Sequence, residues 1–234
     1  MVELRSRMKH SQVPAYQCLG MMASPSPRRF PFLKRITDVV LATILILACV
    51  PLWIVIPLAI KLSGVVRSED QGTVLRHETR YSERQPFRCY KFRVIKQSVL
   101  NTEPVGHGLV RAKRLERDAN CTVVGKWIKK WYLDELPQLL HILQGRMSLV
   151  GPRPFRAEDY DEAAARRGVE MRPARAGLTG LLQAHKGIPT KRSTHDLEFE
   201  DIRMSQTLSP VRLWWYDMGV LVRTIRVLFQ AKGI

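Results

Sequence analysis

The sequence predicts an α+β protein in which a proline-broken, re-entrant membrane helix precedes a small cytosolic α/β domain with interfacial amphipathic helices. Three observations favour this fold. An apolar segment at residues 39–60 contains two prolines. Residues 86–93 alternate in the way that a half-exposed strand does. Two later segments mix apolar and aromatic residues with cations, which is typical of helices at a membrane surface.

The composition indicates an anionic partner. The 234 residues carry a formal net charge of +17, and the sequence pI is about 10.3. Such a charge suits nucleic acid, an anionic lipid surface or a phosphorylated substrate. No RNP, zinc-finger or helix-turn-helix signature is present in the sequence, so we predict no nucleic-acid partner. The four cysteines and six histidines lack the spacing of a disulfide framework or a metal site.

The chain divides into three predicted parts. Residues 1–33 are rich in cations and contain a Ser-Pro-Ser-Pro run, so we expect a flexible basic tail rather than a signal peptide. Residues 34–62 are predicted to form the re-entrant membrane helix. Residues 63–234 are predicted to form the folded domain.

The apolar segment at residues 39–60 is long enough to cross a bilayer, because about 22 residues make roughly 33 Å of helix. Pro51 and Pro57 interrupt it, so the helix is expected to bend or break. Both flanks are cationic, which gives no asymmetry for the positive-inside rule: Lys34, Arg35, Lys61 and Arg67. A helix that dips into one leaflet and returns satisfies both observations. A buried core helix is the alternative.

Residues 72–75 and 86–93 are predicted strands. In the second strand, Lys91 and Arg93 would share one face, while Tyr90 and Phe92 share the other. A solvated cationic edge strand would show the same pattern.

Two segments are predicted to be amphipathic helices. Tryptophans alternate with lysines around Trp127–Trp131, which suits a membrane interface, although a packed or partner-binding helix is equally consistent. Residues 213–229 are apolar and aromatic, but charges such as Asp217 interrupt them. We therefore predict an interfacial or core-packed helix there rather than a span.

An acidic pair, Asp134 and Glu135, opens a predicted helix that ends near Gln144. Pro137 is tolerated only in a first turn, which sets the start of the helix, and Gly145 supplies the stop. In a structural role, Asp134 is the N-cap and Glu135 is a first-turn acid favoured by the helix dipole. In a functional role, carboxylates beside fixed cations indicate metal-assisted chemistry on a phosphate.

A constrained arginine follows the acidic pair. Residues 148–150 are a predicted strand that leads into Gly151-Pro152-Arg153-Pro154. A residue before proline is held extended, so Arg153 has little backbone freedom and can grip a phosphate bidentately at small entropic loss. A turn with an incidental arginine is the alternative.

These residues resemble the bacterial sugar transferase family, the monotopic polyprenyl-phosphate hexose-1-phosphate transferases that begin capsule, exopolysaccharide and O-antigen assembly. The resemblance covers roughly residues 34–234. Its markers are Lys34-Arg35-Ile36-Thr37-Asp38, Tyr90-Lys91-Phe92-Arg93, Leu133-Asp134-Glu135-Leu136-Pro137-Gln138-Leu139, Met147-Ser148-Leu149-Val150-Gly151-Pro152-Arg153-Pro154 and Gly177-Leu178-Thr179-Gly180-Leu181. The chain departs from the family pattern at Val50 (usually serine), Arg146 (usually acidic) and Ala176 (usually proline), and it lacks a glycine-rich turn near residues 81–84.

The resemblance implies an enzyme that transfers a sugar 1-phosphate from a UDP-sugar to undecaprenyl (polyprenyl) phosphate and releases UMP. It implies that Asp134 is the nucleophile and forms a covalent phosphosugar, and that Glu135 binds Mg²⁺ as the cofactor. The cations implied to hold phosphate groups are Lys91, Arg93, Arg153 and Arg175.

The resemblance also implies a place and partners for the protein. We expect it on the cytoplasmic face of the bacterial inner membrane, docked on anionic lipids, with residues 63–234 as the catalytic domain. A homodimer remains open. A catalytically inactive scaffold or regulator with the same fold is the alternative, and the intact acidic pair argues against it.

Overall fold

A computed structural model describes residues 28–102, 117–157, 162–188, 190 and 192–229. The predicted basic tail lies outside the described residues as far as residue 27. The helices are α1 (Phe32–Ala48), α2 (Val50–Val66), α3 (Gln97–Thr102), α4 (Val123–Lys130), α5 (Gln138–Leu143), α6 (Glu162–Glu170), α7 (Leu181–Ala184), α8 (Thr194–Thr207) and α9 (Pro210–Phe229). The strands are β1 (Leu75–Ser82), β2 (Gln85–Phe92), β3 (Ser148–Val150) and β4 (Gly177–Thr179).

The apolar segment forms two helices that meet at Cys49 with a bend of 59°. Pro51 lies in the first turn of α2, where its missing N–H is not needed, but its ring prevents α1 from continuing. The amides of Leu52 and Trp53 instead donate to the Cys49 carbonyl at 2.9 and 3.2 Å. The predicted break is therefore confirmed beside Pro51, whereas Pro57 lies inside α2.

The helix pair presents a largely apolar surface. Among the described residues, no helix is by itself long and apolar enough to cross a membrane, and only α1 and α2 taken together meet that criterion. Many of their large apolar side chains are exposed, among them Ile44, Leu47, Ile54, Val55, Leu58 and Leu62. A contiguous exposed apolar surface is typical of a contact with a membrane or a partner.

Charged residues near the start of α1 fix this helix against the folded domain. Arg35 donates to the carbonyls of Ile142 and Leu143 at 2.6 and 2.7 Å, which lie in the last turn of α5, where the amide four residues on does not bond back. Asp38 accepts from the Leu149 amide of β3 at 3.0 Å. The helix pair is thereby held in a set position relative to α5 and β3.

The strands β1 and β2 form an antiparallel hairpin. Its turn residues, Glu83 and Arg84, have φ angles of 50° and 65°, a conformation for which glycine is usually chosen. The turn is therefore made without the glycines that the family pattern would supply. The strand predicted at residues 86–93 is confirmed as β2, but the strand predicted at residues 72–75 overlaps β1 only at Leu75.

The strand predicted at residues 148–150 is confirmed as β3, and it pairs in parallel with β4. The backbones at Gly151 and Gly177 approach closely here, because a Cβ on Gly177 would lie 2.2 Å from the Gly151 nitrogen. The main core packs around this sheet and includes Phe87, Leu139, Ile142, Met147, Leu149, Leu181 and Val220. A second core lies under α2 and contains Ile56, Ile60, Phe92, Ile95 and Ile128. The mixed helix and sheet domain confirms the α+β prediction.

The two predicted amphipathic helices are confirmed as helices. In α4, Trp127 and Trp131 beside its end are about half exposed. In α9, Trp215 and Phe229 are exposed while Asp217 is buried. Both helices therefore leave aromatic side chains uncovered beside α1 and α2.

Candidate active site

The acidic pair lies in a 3₁₀ turn and not at the N-cap of an α-helix, which corrects the predicted helix start. Tyr132 has a φ of 58°, and the turn spans Leu133–Glu135. Pro137 has no N–H to complete a first α-helical turn, so the neighbouring amides bond three residues back, as Leu136 does to Leu133 at 3.3 Å. The α-helix begins only at Gln138. Asp134 is half-buried within this turn.

Lys91 reaches Glu135 across the site. Its Nζ donates to Glu135 Oε1 at 2.5 Å, and the two side chains are 25% and 27% exposed. Burial opposes the charged form of Glu135, but Lys91 and then Arg153 outweigh it and hold the pKa of Glu135 below its ordinary value. Burial likewise opposes the charged form of Lys91, but Glu135 and Asp134 together raise the pKa of Lys91. Both partners are therefore ionised at neutral pH.

Arg153 is exposed and close enough for its charge to act on both members of this pair. Its loop is held beside the hairpin, because the Tyr81 amide donates to the Phe155 carbonyl at 2.9 Å. The structure thus brings together four predicted site residues: Asp134, Glu135, Lys91 and Arg153.

Arg93 does not join this group, which corrects the expectation that it shares one face of the strand with Lys91. It follows the end of β2, and its side chain is fully buried. Its guanidinium donates to the carbonyls of Asp70 (2.6 Å), Thr73 (2.6 Å) and Ile95 (3.1 Å). A guanidinium that satisfies buried carbonyls in this way fixes the backbone and is not presented to a phosphate.

Arg175 also lies apart from the acidic pair. Its guanidinium bonds to Glu83 at 3.1 Å and stacks over the Phe30 ring, with 3.8 Å from the guanidinium carbon to the ring centroid. It lines a small cavity together with Lys34, Gly151 and Asp217. These neighbours favour a role in packing the start of α1 against the domain.

The sequence interpretation missed a group of charges on β1. Arg76, Glu78 and Arg80 follow one another at every second position, and the register places them on the face that Lys91 shares. Arg80 is close enough to lower the pKa of Glu135. The alternation of charges along residues 76–80 was a readable signal, but a solvated strand face has the same pattern.

Few side chains at the site could bind a metal ion. In the ranges that the structure describes, no group of three or more His, Cys, Asp or Glu side chains could hold an ion. Mg²⁺ does not require such a group, because it is commonly held by one or two carboxylates together with water and substrate phosphates. Asp134 and Glu135 supply carboxylates, and Lys91 engages only Oε1 of Glu135. The residues therefore fit a Mg²⁺ ion completed by a phosphate ligand.

Carboxylates beside fixed cations, next to an apolar broken helix pair, are typical of a membrane-associated enzyme that acts on phosphate groups. Comparison with known proteins agrees. The family model for bacterial sugar transferases matches residues 29–231. The chain therefore belongs to the bacterial sugar transferase family and is a phosphoglycosyl transferase by class.

Individual relatives carry specific names. The chain is 33% identical over 226 residues to a UDP-glucose:undecaprenyl-phosphate glucose-1-phosphate transferase of Caulobacter vibrioides, covering 94% of this chain and 79% of the relative. It is 38% identical over 214 residues to the exopolysaccharide production protein ExoY of Rhizobium meliloti, covering 86% and 87%. An Escherichia coli UDP-glucose:undecaprenyl-phosphate glucose-1-phosphate transferase is 32% identical over 208 residues, and the chain spans 41% of its length.

Proposed function

We propose that this protein transfers a sugar 1-phosphate from a UDP-sugar to undecaprenyl phosphate with release of UMP, as a step that begins exopolysaccharide-type glycan assembly. The single observation that supports this most is the ion pair between Lys91 and Glu135 with Asp134 and Arg153 beside it. It lies in the part of the chain that the family model matches. The names of the relatives support the donor and the acceptor.

In the proposed reaction, a carboxylate oxygen of Asp134 forms a bond to the sugar-proximal phosphorus of the donor. The bond from that phosphorus to the bridging oxygen breaks, and UMP leaves with the bonding electrons. An oxygen of the lipid phosphate then bonds to the same phosphorus and displaces the Asp134 carboxylate. The products are UMP and a diphosphate-linked lipid sugar.

The cations of the site would stabilise charge on the phosphate oxygens during both displacements. Arg153 offers a planar pair of donors, and Lys91 offers a point charge that Glu135 holds in place. Mg²⁺ bound through Glu135 would neutralise further negative charge on the diphosphate. This division of tasks is the one expected when positioning and electrostatics dominate phosphoryl transfer.

We further propose that α1 and α2 form a re-entrant hairpin in one leaflet, so that the domain lies on the cytoplasmic face and the protein is monotopic. The 59° bend and the exposed apolar side chains support this. The exposed tryptophans of α4 and α9 would then contact the headgroups. Labelling of tags at the two ends of the chain in intact vesicles tests the topology, and ends on opposite sides would contradict it.

The decisive test is UMP release by lipid-embedded protein with Mg²⁺, undecaprenyl phosphate and a panel of UDP-sugars. Asp134→Asn is expected to abolish release, since Asn cannot attack phosphorus. Asp118→Asn is the matched control, because Asp118 lies exposed in another 3₁₀ turn and should leave release unchanged. Release that survives Asp134→Asn would refute the covalent step. No release from any donor by folded protein would favour the inactive scaffold instead.

A further inference from the structure

The β1 strand carries an organised cluster of charges beside the acidic pair. Glu78 accepts from three arginines: Arg76 at 2.7 Å, Arg80 at 2.6 Å, and Arg156. Arg80 also donates to the Pro154 carbonyl at 3.1 Å. We call Arg76, Glu78, Arg80 and Arg156 the arginine cluster.

The arginine cluster is held in place and not free on the surface. The side chains of Glu78, Arg80 and Arg156 are 14%, 12% and 10% exposed. Burial disfavours the charged form of Glu78, but Arg80, with the other two arginines, overcomes it and holds the Glu78 pKa far below its ordinary value. Glu78 is therefore an anion around which three guanidinium groups are arranged.

The positive charges in this region exceed the negative ones. The cluster and the neighbouring site contain five cations (Arg76, Arg80, Lys91, Arg153 and Arg156) and three carboxylates (Glu78, Asp134 and Glu135), which leaves a surplus of two positive charges. A surplus held by partly buried side chains raises the local concentration of anions and favours a ligand with more than one negative charge.

The position of the arginine cluster along β1 indicates which anionic ligand it would receive. Phe92, at the end of β2 that pairs with the start of β1, packs on Trp53 of α2 with ring centroids 6.1 Å apart. Arg76 lies next to this end and Arg80 lies further along β1, so the cluster leads from the acidic pair away from the apolar helices. Under the proposed function, a lipid phosphate would reach the site from the helices, and a water-soluble nucleotide would reach it from the other side.

We propose that Arg76 binds the diphosphate of the nucleotide donor, and that Glu78 is a positioning residue that holds the Arg76 guanidinium for it, while Arg80 and Arg156 fix Glu78. This inference rests on the proposed function, since it names the part of the site that receives the UDP-sugar. Arg76 is the accessible arginine of the cluster, because its side chain is 25% exposed, whereas those of Arg80 and Arg156 are 12% and 10% exposed. Charge-assisted bidentate bonds to phosphate oxygens are the contacts expected from such groups.

The test uses UDP as the probe and the full chain in detergent, with calorimetry to measure binding and UMP release to measure turnover. Arg76→Gln is expected to weaken UDP binding about tenfold or more, to raise the KM for the UDP-sugar similarly and to leave the KM for undecaprenyl phosphate unchanged. Arg88→Gln is the matched control, because Arg88 is an exposed arginine on the opposite face of the same hairpin, and it should match the unaltered protein.

Glu78→Gln provides a second variant that keeps all three arginines. It is expected to weaken UDP binding while the protein remains folded by circular dichroism. Unchanged UDP binding in both Arg76→Gln and Glu78→Gln, with UMP release intact, would overturn the inference and leave the proposed function standing. A rise in the KM for undecaprenyl phosphate alone would assign the cluster to the lipid and overturn it too. Unaltered protein that neither binds UDP nor releases UMP would overturn both proposals.

Discussion

Two lysine–carboxylate pairs in this protein share their chemistry but differ in their surroundings. Lys34 and Asp217 pair with side chains that are 7% and 6% exposed, and Lys34 also donates to the Val150 carbonyl at 2.9 Å. Lys91 and Glu135 pair with side chains that are 25% and 27% exposed. The first pair is buried between α1 and α9, whereas the second is partly exposed beside Asp134, the proposed nucleophile.

The pKa values of the two paired carboxyl groups shift in opposite directions. Burial raises the pKa of Asp217 to about 6, and the carboxylates of Asp38 and Asp201 add to this effect. Glu135 instead lies near cations such as Arg153 that lower its pKa. A buried pair gives a phosphate no access, whereas an open site with excess cations attracts it. Burial and neighbouring charge, more than residue type, separate the structural pair from the functional one.

The largest effect on stability is expected from Lys34→Met. The change leaves buried carboxylates without their cation and should lower the free energy of unfolding by about 3–5 kcal/mol. Lys61→Met is the matched control, since Lys61 is an exposed lysine on the same helix pair and should change stability by about 0.5 kcal/mol or less. Thermal unfolding in detergent, followed by tryptophan fluorescence, measures both. An equal change in unfolding free energy in the two variants would contradict this prediction.

Lys91→Met should show the opposite behaviour. Because the pair with Glu135 is partly exposed, its loss is expected to change the unfolding free energy by about 1 kcal/mol or less. Removal of a donor that stabilises developing charge should lower the rate of UMP release about 10²–10³-fold. Parallel unfolding and turnover assays measure the two effects. A Lys91 variant that loses stability as Lys34→Met does, with turnover intact, would contradict the assignment.

The buried carboxylates around the Lys34–Asp217 pair should also make the stability of the protein depend on pH. Burial raises the pKa of Asp201 to about 6 from 3.8, although the Tyr216 hydroxyl and the Leu181 amide donate to it. A carboxyl whose pKa is raised by folding stabilises the fold below about pH 4, and that contribution is lost as pH rises through about 6. The full difference corresponds to at most about 3 kcal/mol.

Asp201→Asn is therefore expected to remove part of the decline in stability between pH 4 and pH 6. Unfolding measured at several pH values in this window, with Asp118→Asn as an exposed control, isolates the contribution of Asp201. The carboxylates with lowered pKa, Glu78 and Glu135, act in the opposite direction in every variant and cancel in the difference. Identical curves for Asp201→Asn and the unaltered protein would contradict the prediction.

The smallest effect on UMP release is expected from Arg175→Gln. This change tests whether Arg175 belongs with the buried Lys34–Asp217 pair or with the open Lys91–Glu135 site. The contacts of Arg175 with Glu83 and Phe30 place it with the buried pair, so UMP release should fall less than about threefold. Arg153→Gln should lower release about tenfold or more, because Arg153 is close to Glu135. Kinetics of the two variants under the same conditions measure the contrast. An equal loss in both would return Arg175 to the phosphate-binding group.

Much of the fold was predictable because local physics specifies it. Pro51 has no N–H and its ring opposes continuation of α1, so the apolar segment breaks beside it, and the β3 strand leads directly into a glycine–proline pair. The start of α5 was misplaced, because an Asp before a helical pattern usually caps it, whereas here the chain first makes a 3₁₀ turn. Several backbone hydrogen bonds compete at such a position, and sequence pattern alone does not rank them.

The sequence by itself determined several elements, the broken apolar helix and the acidic pair, since these depend on the residues next to one another in the chain. Only the tertiary structure decided which cations meet that pair. Lys91 and Arg93 are two residues apart, yet one reaches Glu135 and the other is buried against backbone carbonyls. Electrostatic interaction falls with distance and rises with burial, and both quantities are properties of the packed chain.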